Sequence, residues 1–119
     1  MALFIGNGAN NLLNGGALDD AILGFGGSDT LNGNGGADGI SGGTGNDSMS
    51  GGTGNDGIDG GTSNDTLNGD SGNDFLDGAE GNDTLNGGSD NDTMYGGEGN
   101  DSLSGSSGTD SLFGDAGND

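Results

Sequence analysis

Aspartate recurs at every ninth position: Asp20, Asp29, Asp38, Asp47, Asp56, Asp65, Asp74, Asp83, Asp92, Asp101, Asp110 and Asp119, with Asn11 one period earlier. Carboxylates spaced this regularly among 33 glycines place side-chain and backbone oxygens side by side. That is the donor set a hard cation such as Ca²⁺ takes. Other chemistries lack their residues, because the chain contains no Lys, Arg, His, Cys, Pro or Trp.

With no basic residue and a formal charge of −20, nothing in the chain displaces the counterions of DNA or RNA, so nucleic acid is excluded as a partner. The same gap removes the lysine and arginine clamps of phosphoryl transfer and argues against an anionic membrane surface. Without His or Cys there is no zinc site, nucleophilic triad, thiol redox motif or disulfide. Every ladder carboxylate repeats in the same setting, whereas acid–base catalysis needs two carboxyls in unlike environments, so the chain is read as no enzyme. No EF-hand loop with its closing Glu occurs. No run approaches 18 apolar residues, and no membrane insertion is expected. The segment Met1 to Ile5 is too short, and lacks the positive flank, to be a secretory signal. Export therefore rests on a signal not visible here, or on a longer protein of which this is part.

The elements that position the aspartates follow from the same period. An apolar fraction of 25% would ordinarily read as disorder at this charge. Disorder, however, does not require a glycine five residues before every ninth-residue position, from Gly6 through Gly114, nor an apolar residue two after it, from Leu13 through Leu112. The chain divides into a lead-in over 1–5, read as an N-terminal edge strand, and a repeat region over 6–119 of twelve nonads and a half nonad. Each nonad reads as a six-residue turn and a three-residue strand. In Gly42-Gly43-Thr44-Gly45-Asn46-Asp47 the glycines supply the positive φ a tight loop needs, and Ser48-Met49-Ser50 sends Met49 inward. Nine residues reverse the chain once, so 18 residues per coil give two short parallel sheets and an all-β solenoid roughly 30 Å tall at about 4.8 Å per coil.

Stacking puts every second turn above the last, so the aspartates form two ladders. One runs Asp20, Asp38, Asp56, Asp74, Asp92, Asp110; the other runs Asn11, Asp29, Asp47, Asp65, Asp83, Asp101, Asp119. A divalent cation between neighbouring turns takes one carboxylate from each, with glycine-loop carbonyls completing the shell. Five Asp–Asp pairs per ladder predict about ten Ca²⁺, which balances the formal charge. One inward side chain per strand is a thin core, so folding is expected to depend on the ion.

Gly42-Gly43-Thr44-Gly45-Asn46-Asp47-Ser48-Met49-Ser50 and Gly96-Gly97-Glu98-Gly99-Asn100-Asp101-Ser102-Leu103-Ser104 resemble the calcium-binding nonapeptide of the repeats-in-toxin proteins. The resemblance covers nearly the whole chain. It implies a right-handed parallel β-roll and an extracellular or cell-surface bacterial setting, where the module folds on meeting millimolar calcium. It also implies the ligands: the twelve sixth-position aspartates named above and carbonyls of the glycine loops, here Gly42, Gly43, Gly45, Gly51, Gly52, Gly54, Gly60, Gly61, Gly72, Gly81, Gly96, Gly97 and Gly99. Asn11 at a ladder position, and Ala9 and Leu18 at the fourth, predict weak N-terminal sites. Phe25, Asn34, Asp70, Ala79, Ser106 and Asp115 replace the second-position glycine; Ser63 and Asp90 replace the fourth. The family's C-terminal secretion signal and aromatic-rich cap are missing, and the stop at Asp119 in mid-repeat reads as truncation or as an open end that meets another copy.

The reading that follows is a calcium-dependent scaffold or spacer of a secreted or surface protein. Self-assembly is the alternative, end to end or laterally through the outward Leu23, Phe75, Tyr95 and Phe113, which are assigned to one sheet. A less favoured reading is an ice-binding face, in which Thr44/Asn46, Thr53/Asn55 and Thr62/Asn64 form an array that Glu80 and Glu98 interrupt.

Overall fold

In the computed structural model, which describes residues 1–119, the chain forms thirteen strands and no helix. The odd-numbered strands are β1 (Leu3–Asn7), β3 (Ala21–Gly26), β5 (Gly39–Thr44), β7 (Gly57–Thr62), β9 (Phe75–Glu80), β11 (Thr93–Glu98) and β13 (Ser111–Ala116). They stack in that order as a seven-stranded sheet. The even-numbered strands are β2 (Leu12–Asn14), β4 (Thr30–Gly35), β6 (Ser48–Thr53), β8 (Thr66–Ser71), β10 (Thr84–Ser89) and β12 (Ser102–Ser107), and they form a six-stranded sheet. Each strand pairs in parallel with the one 18 residues away, as Leu31↔Met49, Met49↔Leu67 and Leu67↔Leu85 show. The predicted β-solenoid of 18-residue coils is therefore the observed fold. The molecule measures 34 × 29 × 13 Å, consistent with the expected stack.

The core is one column of side chains between the sheets. Ile22, Leu31, Ile40, Met49, Ile58, Leu67, Leu76, Leu85 and Met94 are buried, with Phe4, Leu13 and Leu103 packed against them. Of the twelve predicted inward residues, Leu112 is 43% exposed, because an end coil has a neighbour on one side only.

The strands are longer than the three residues expected: β3 to β13 each run six. In a stack of identical turns the first half of each turn lies over its counterpart and continues the ladder. The pairing extends to Gly36 N donating to Thr53 O at 2.9 Å and Gly54 N to Ser71 O at 2.9 Å. From β3 onward only the last three residues of each loop leave the sheet.

The glycine assignments need one correction. Gly43 and Gly45 have φ of 104° and 114°, as a tight turn requires, but Gly42 does not adopt the left-handed region. Its need for a missing Cβ has another cause, described below. The second-position replacements, from Phe25 to Asp115, hold φ between 66° and 76°, and Ser63 and Asp90 at the fourth hold 84° and 81°. An L-residue there costs about 1–2 kcal/mol. Ser63→Gly is accordingly expected to stabilise the calcium-loaded roll by about 1 kcal/mol after the unfolded-state entropy of glycine is counted. An unchanged or lower urea midpoint would contradict this.

Candidate metal centre

Each ladder aspartate begins its turn-to-strand step, and its carboxylate folds back under its own loop instead of projecting into solvent. Asp29, Asp38, Asp47, Asp56, Asp65, Asp74, Asp83, Asp92 and Asp101 are buried, each no more than 6% exposed. One oxygen of each is satisfied by the preceding coil: Asp47 Oδ1 accepts from Asp29 N at 2.7 Å, Asp65 Oδ1 from Asp47 N at 2.7 Å, and Asp83 Oδ1 from Asp65 N at 2.8 Å. The other oxygen has no hydrogen-bond partner in any of the nine.

That second oxygen shares a cradle with a carbonyl of the following coil. The point where a Cβ would stand on Gly60 is 2.7 Å from both Asp65 Oδ2 and Gly78 O; on Gly78 it is 2.5 Å from Asp83 Oδ2 and 2.6 Å from Gly96 O. At Gly96 the same point is 2.5 Å from Asp101 Oδ2 and 2.8 Å from Gly114 O. This is why the first-position residue, including Gly42, must be glycine: the cradle occupies the space of its side chain. Both oxygens facing the cradle are acceptors, so neither can satisfy the other. A proton, a donating water or a cation resolves such a pair, and of these only the cation also answers the negative charge of both ladders at neutral pH.

Burial accordingly pushes the carboxyls of Asp38, Asp47, Asp56, Asp83 and Asp92 above the usual range, against the lowering effect of the peptide N–H on the other oxygen. Neighbouring carboxylates add to the shift. The same causes carry Asp74 up to about 6 and Asp65 up to about 7.

The residues fit a calcium ion, which takes about six to eight oxygens, mixing carboxylates and carbonyls, and requires no nitrogen or sulfur. Nowhere do three acidic side chains converge, so backbone carbonyls must supply most of any shell. The groups that would hold it are the unpartnered Oδ2 atoms from Asp29 to Asp101 and the loop carbonyls beside them. The ion's contribution is positive charge among oxygens that have no donor.

The first coil is built differently. Asp20 Oδ2 accepts from Gly16 N at 2.8 Å and its Oδ1 from Ala2 N, and these two bonds hold its pKa below the usual carboxylate value. Asn11 Oδ1 likewise accepts from Asn7 N at 2.8 Å. Ala9 and Leu18 do not take the left-handed conformation of the later fourth positions. In both of these nonads the second-position N–H turns onto the ladder side chain and supplies the donor. At the far end Asp110 and Asp119 still accept from Asp92 N and Asp101 N, both at 3.0 Å.

The model of the RTX calcium-binding nonapeptide repeat matches the sequence in four copies, over residues 5–40, 40–67, 59–94 and 86–119. The chain belongs to the RTX calcium-binding repeat family. A comparison with curated proteins finds no match. The RTX assignment makes this roll a calcium-binding repeat module, and the buried aspartate ladders are where its sequence and its geometry agree.

One set of RTX positions escaped the sequence reading. The fifth-position asparagines bind in the opposite direction to the aspartates: Asn64 Oδ1 accepts from Asn82 N at 2.8 Å, Asn82 Oδ1 from Asn100 N at 2.8 Å, and Asn73 Oδ1 from Asn91 N at 2.9 Å. Each turn thus reaches back one coil through its carboxylate and forward one through its amide. The signal was present as Asn-Asp at 46–47, 55–56, 64–65, 73–74, 82–83, 91–92 and 100–101. The threonines considered for an ice-binding array lie at strand ends. Thr44 and Thr62 continue into Glu80 and Glu98, and Thr53 continues into Ser71, Ser89 and Ser107.

Proposed function

We propose that the chain is a calcium-dependent structural module that folds when Ca²⁺ enters the cradles and then serves as a rigid scaffold or spacer of a secreted or cell-surface protein. The observation that carries this reading is the set of nine buried carboxylate oxygens without partners. Ionised and empty, they oppose folding; neutralised by a divalent ion, they clamp adjacent coils. The twelve sixth-position aspartates and the loop carbonyls are the proposed ligands, with the pair that includes Asp20 weakest because its oxygens already have donors. About nine or ten ions per chain follow.

Equilibrium dialysis with metal analysis tests the count. Asp47→Asn keeps an Oδ1 acceptor for Asp29 N and turns an amide donor toward Gly60 O, so the bound calcium is expected to fall by about one ion with the fold retained. An unchanged count in that variant, or about one or two ions in the parent chain, would contradict the ladder as the site.

A further inference from the structure

The two sheets are equivalent in topology, yet their outer faces differ in chemistry. The four outward aromatic residues, Phe25, Phe75, Tyr95 and Phe113, all belong to the seven-stranded sheet, while the fifth, Phe4, packs against the core. The seven-stranded sheet also holds five of the six acidic residues found in strands: Asp59, Asp77, Glu80, Glu98 and Asp115, against Asp70 alone in the six-stranded sheet. The six-stranded sheet instead repeats Ser or Thr and Asn or Ser, as in Thr66-Leu67-Asn68 and Thr84-Leu85-Asn86. Nothing in coil stacking demands this division.

Three rings form a ladder at one end of the seven-stranded face. Phe75 and Tyr95 have centroids 5.6 Å apart at 41°, and Tyr95 and Phe113 stack at 4.7 Å and 13°. Phe75 and Phe113 remain nearly half exposed. Tyr95 is the register partner of Asp77, and Asp77 of Asp59. Asp115 lies two residues beyond Phe113 in β13. A second copy of this chain would bring acid against acid, because it has no cationic side chain to offer.

From this charge complementarity we propose that the face around Phe75, Tyr95 and Phe113 docks an arginine-bearing segment of another protein. Both faces of Tyr95 are covered by its neighbours, but Phe75 has on its other side the register partner Gly57, which has no side chain. A guanidinium lying against Phe75 there is beside Asp59 and Asp77, two residues along each strand, so ring and carboxylates act on the same cation. Arginine is favoured over lysine because its planar, weakly hydrated head stacks on aromatic rings while donating to a carboxylate. The surface exists only in the folded roll and so rests on the calcium reading above.

The test is titration of the calcium-saturated full chain with an arginine–glycine repeat peptide and a matched lysine–glycine peptide. Tyr95 is the only tyrosine and there is no tryptophan, so its fluorescence reports on the site. Saturable binding with arginine preferred is expected, weakened about tenfold by Phe75→Ala and by the conservative Asp77→Asn, and unchanged by Thr66→Ala on the other sheet. Absence of saturable binding would overturn the proposal. So would equal affinity for lysine that ignores the ring substitution, or Phe113-dependent self-association in sedimentation. The β signal of each sample in calcium separates a failed docking surface from a failed fold.

Discussion

Replacing Gly78 by alanine is expected to raise the calcium concentration needed for folding by more than about tenfold, whereas the same change at Gly57 leaves it within about a factor of two. The two glycines sit on strands of the same sheet and differ in what their missing Cβ would meet. At Gly78 a methyl group would stand 2.5 Å from Asp83 Oδ2 and 2.6 Å from Gly96 O. The carboxylate could swing away only by leaving the cradle, and the carbonyl belongs to the next coil's backbone. The substitution therefore both crowds the stack, at about 1–3 kcal/mol, and fills the space between two proposed ligands. At Gly57 nothing lies within 4 Å, so alanine adds a harmless side chain and reduces unfolded-state entropy. Calcium titrations of both variants followed by circular dichroism check this, and equal midpoints would refute the cradle as the metal site.

Without calcium, lowering the pH from about 8 toward 4 is expected to stabilise the roll, the reverse of ordinary acid denaturation. The raised carboxyls, Asp65 at about 7 and Asp74 at about 6 among them, hold protons more tightly folded than unfolded. Their favourable contribution is complete below the unfolded carboxylate value near 3.9, and is lost as pH rises through the folded values. A proton then takes the place among the cradle oxygens that the cation fills at neutral pH. With calcium the direction inverts, because protons compete for the same oxygens, so the calcium midpoint rises as pH falls below about 7 and binding near that pH releases protons. Circular dichroism in chelator across this range measures the first effect and a pH-stat the second. A chain that gains no β structure in chelator anywhere between about pH 8 and 4 would show that the cradle oxygens are not the destabilising groups.

The architecture was legible because a nine-residue period leaves little choice. Inward Leu31, Met49 and Leu67 two residues after each aspartate set the coil at 18 residues, and the pairing Leu31↔Met49↔Leu67 follows it. The assignment of Phe75, Tyr95 and Phe113 to one sheet came from the same count. What the period could not show is where each atom points. Gly42 looked like a turn residue, and only the placement of Asp47 beneath it reveals a packing requirement. The direction of the Asn82 amide, forward to Asn100, depends on loop geometry that Asn-Asp alone does not specify. The departures at Ala9 and Leu18 marked the first coil as different, but the Gly16 N–H that supplies Asp20 with its missing donor becomes visible only in three dimensions.

The most direct test of calcium-driven folding is a far-UV circular dichroism titration of the purified chain at neutral pH, with magnesium as the control. A cooperative transition from coil to β structure is expected with calcium and not with magnesium, whose small octahedral shell and reluctant dehydration suit a carbonyl-rich cradle poorly. A β signal that persists in excess chelator, or a chain that stays unfolded through tens of millimolar calcium, would contradict it.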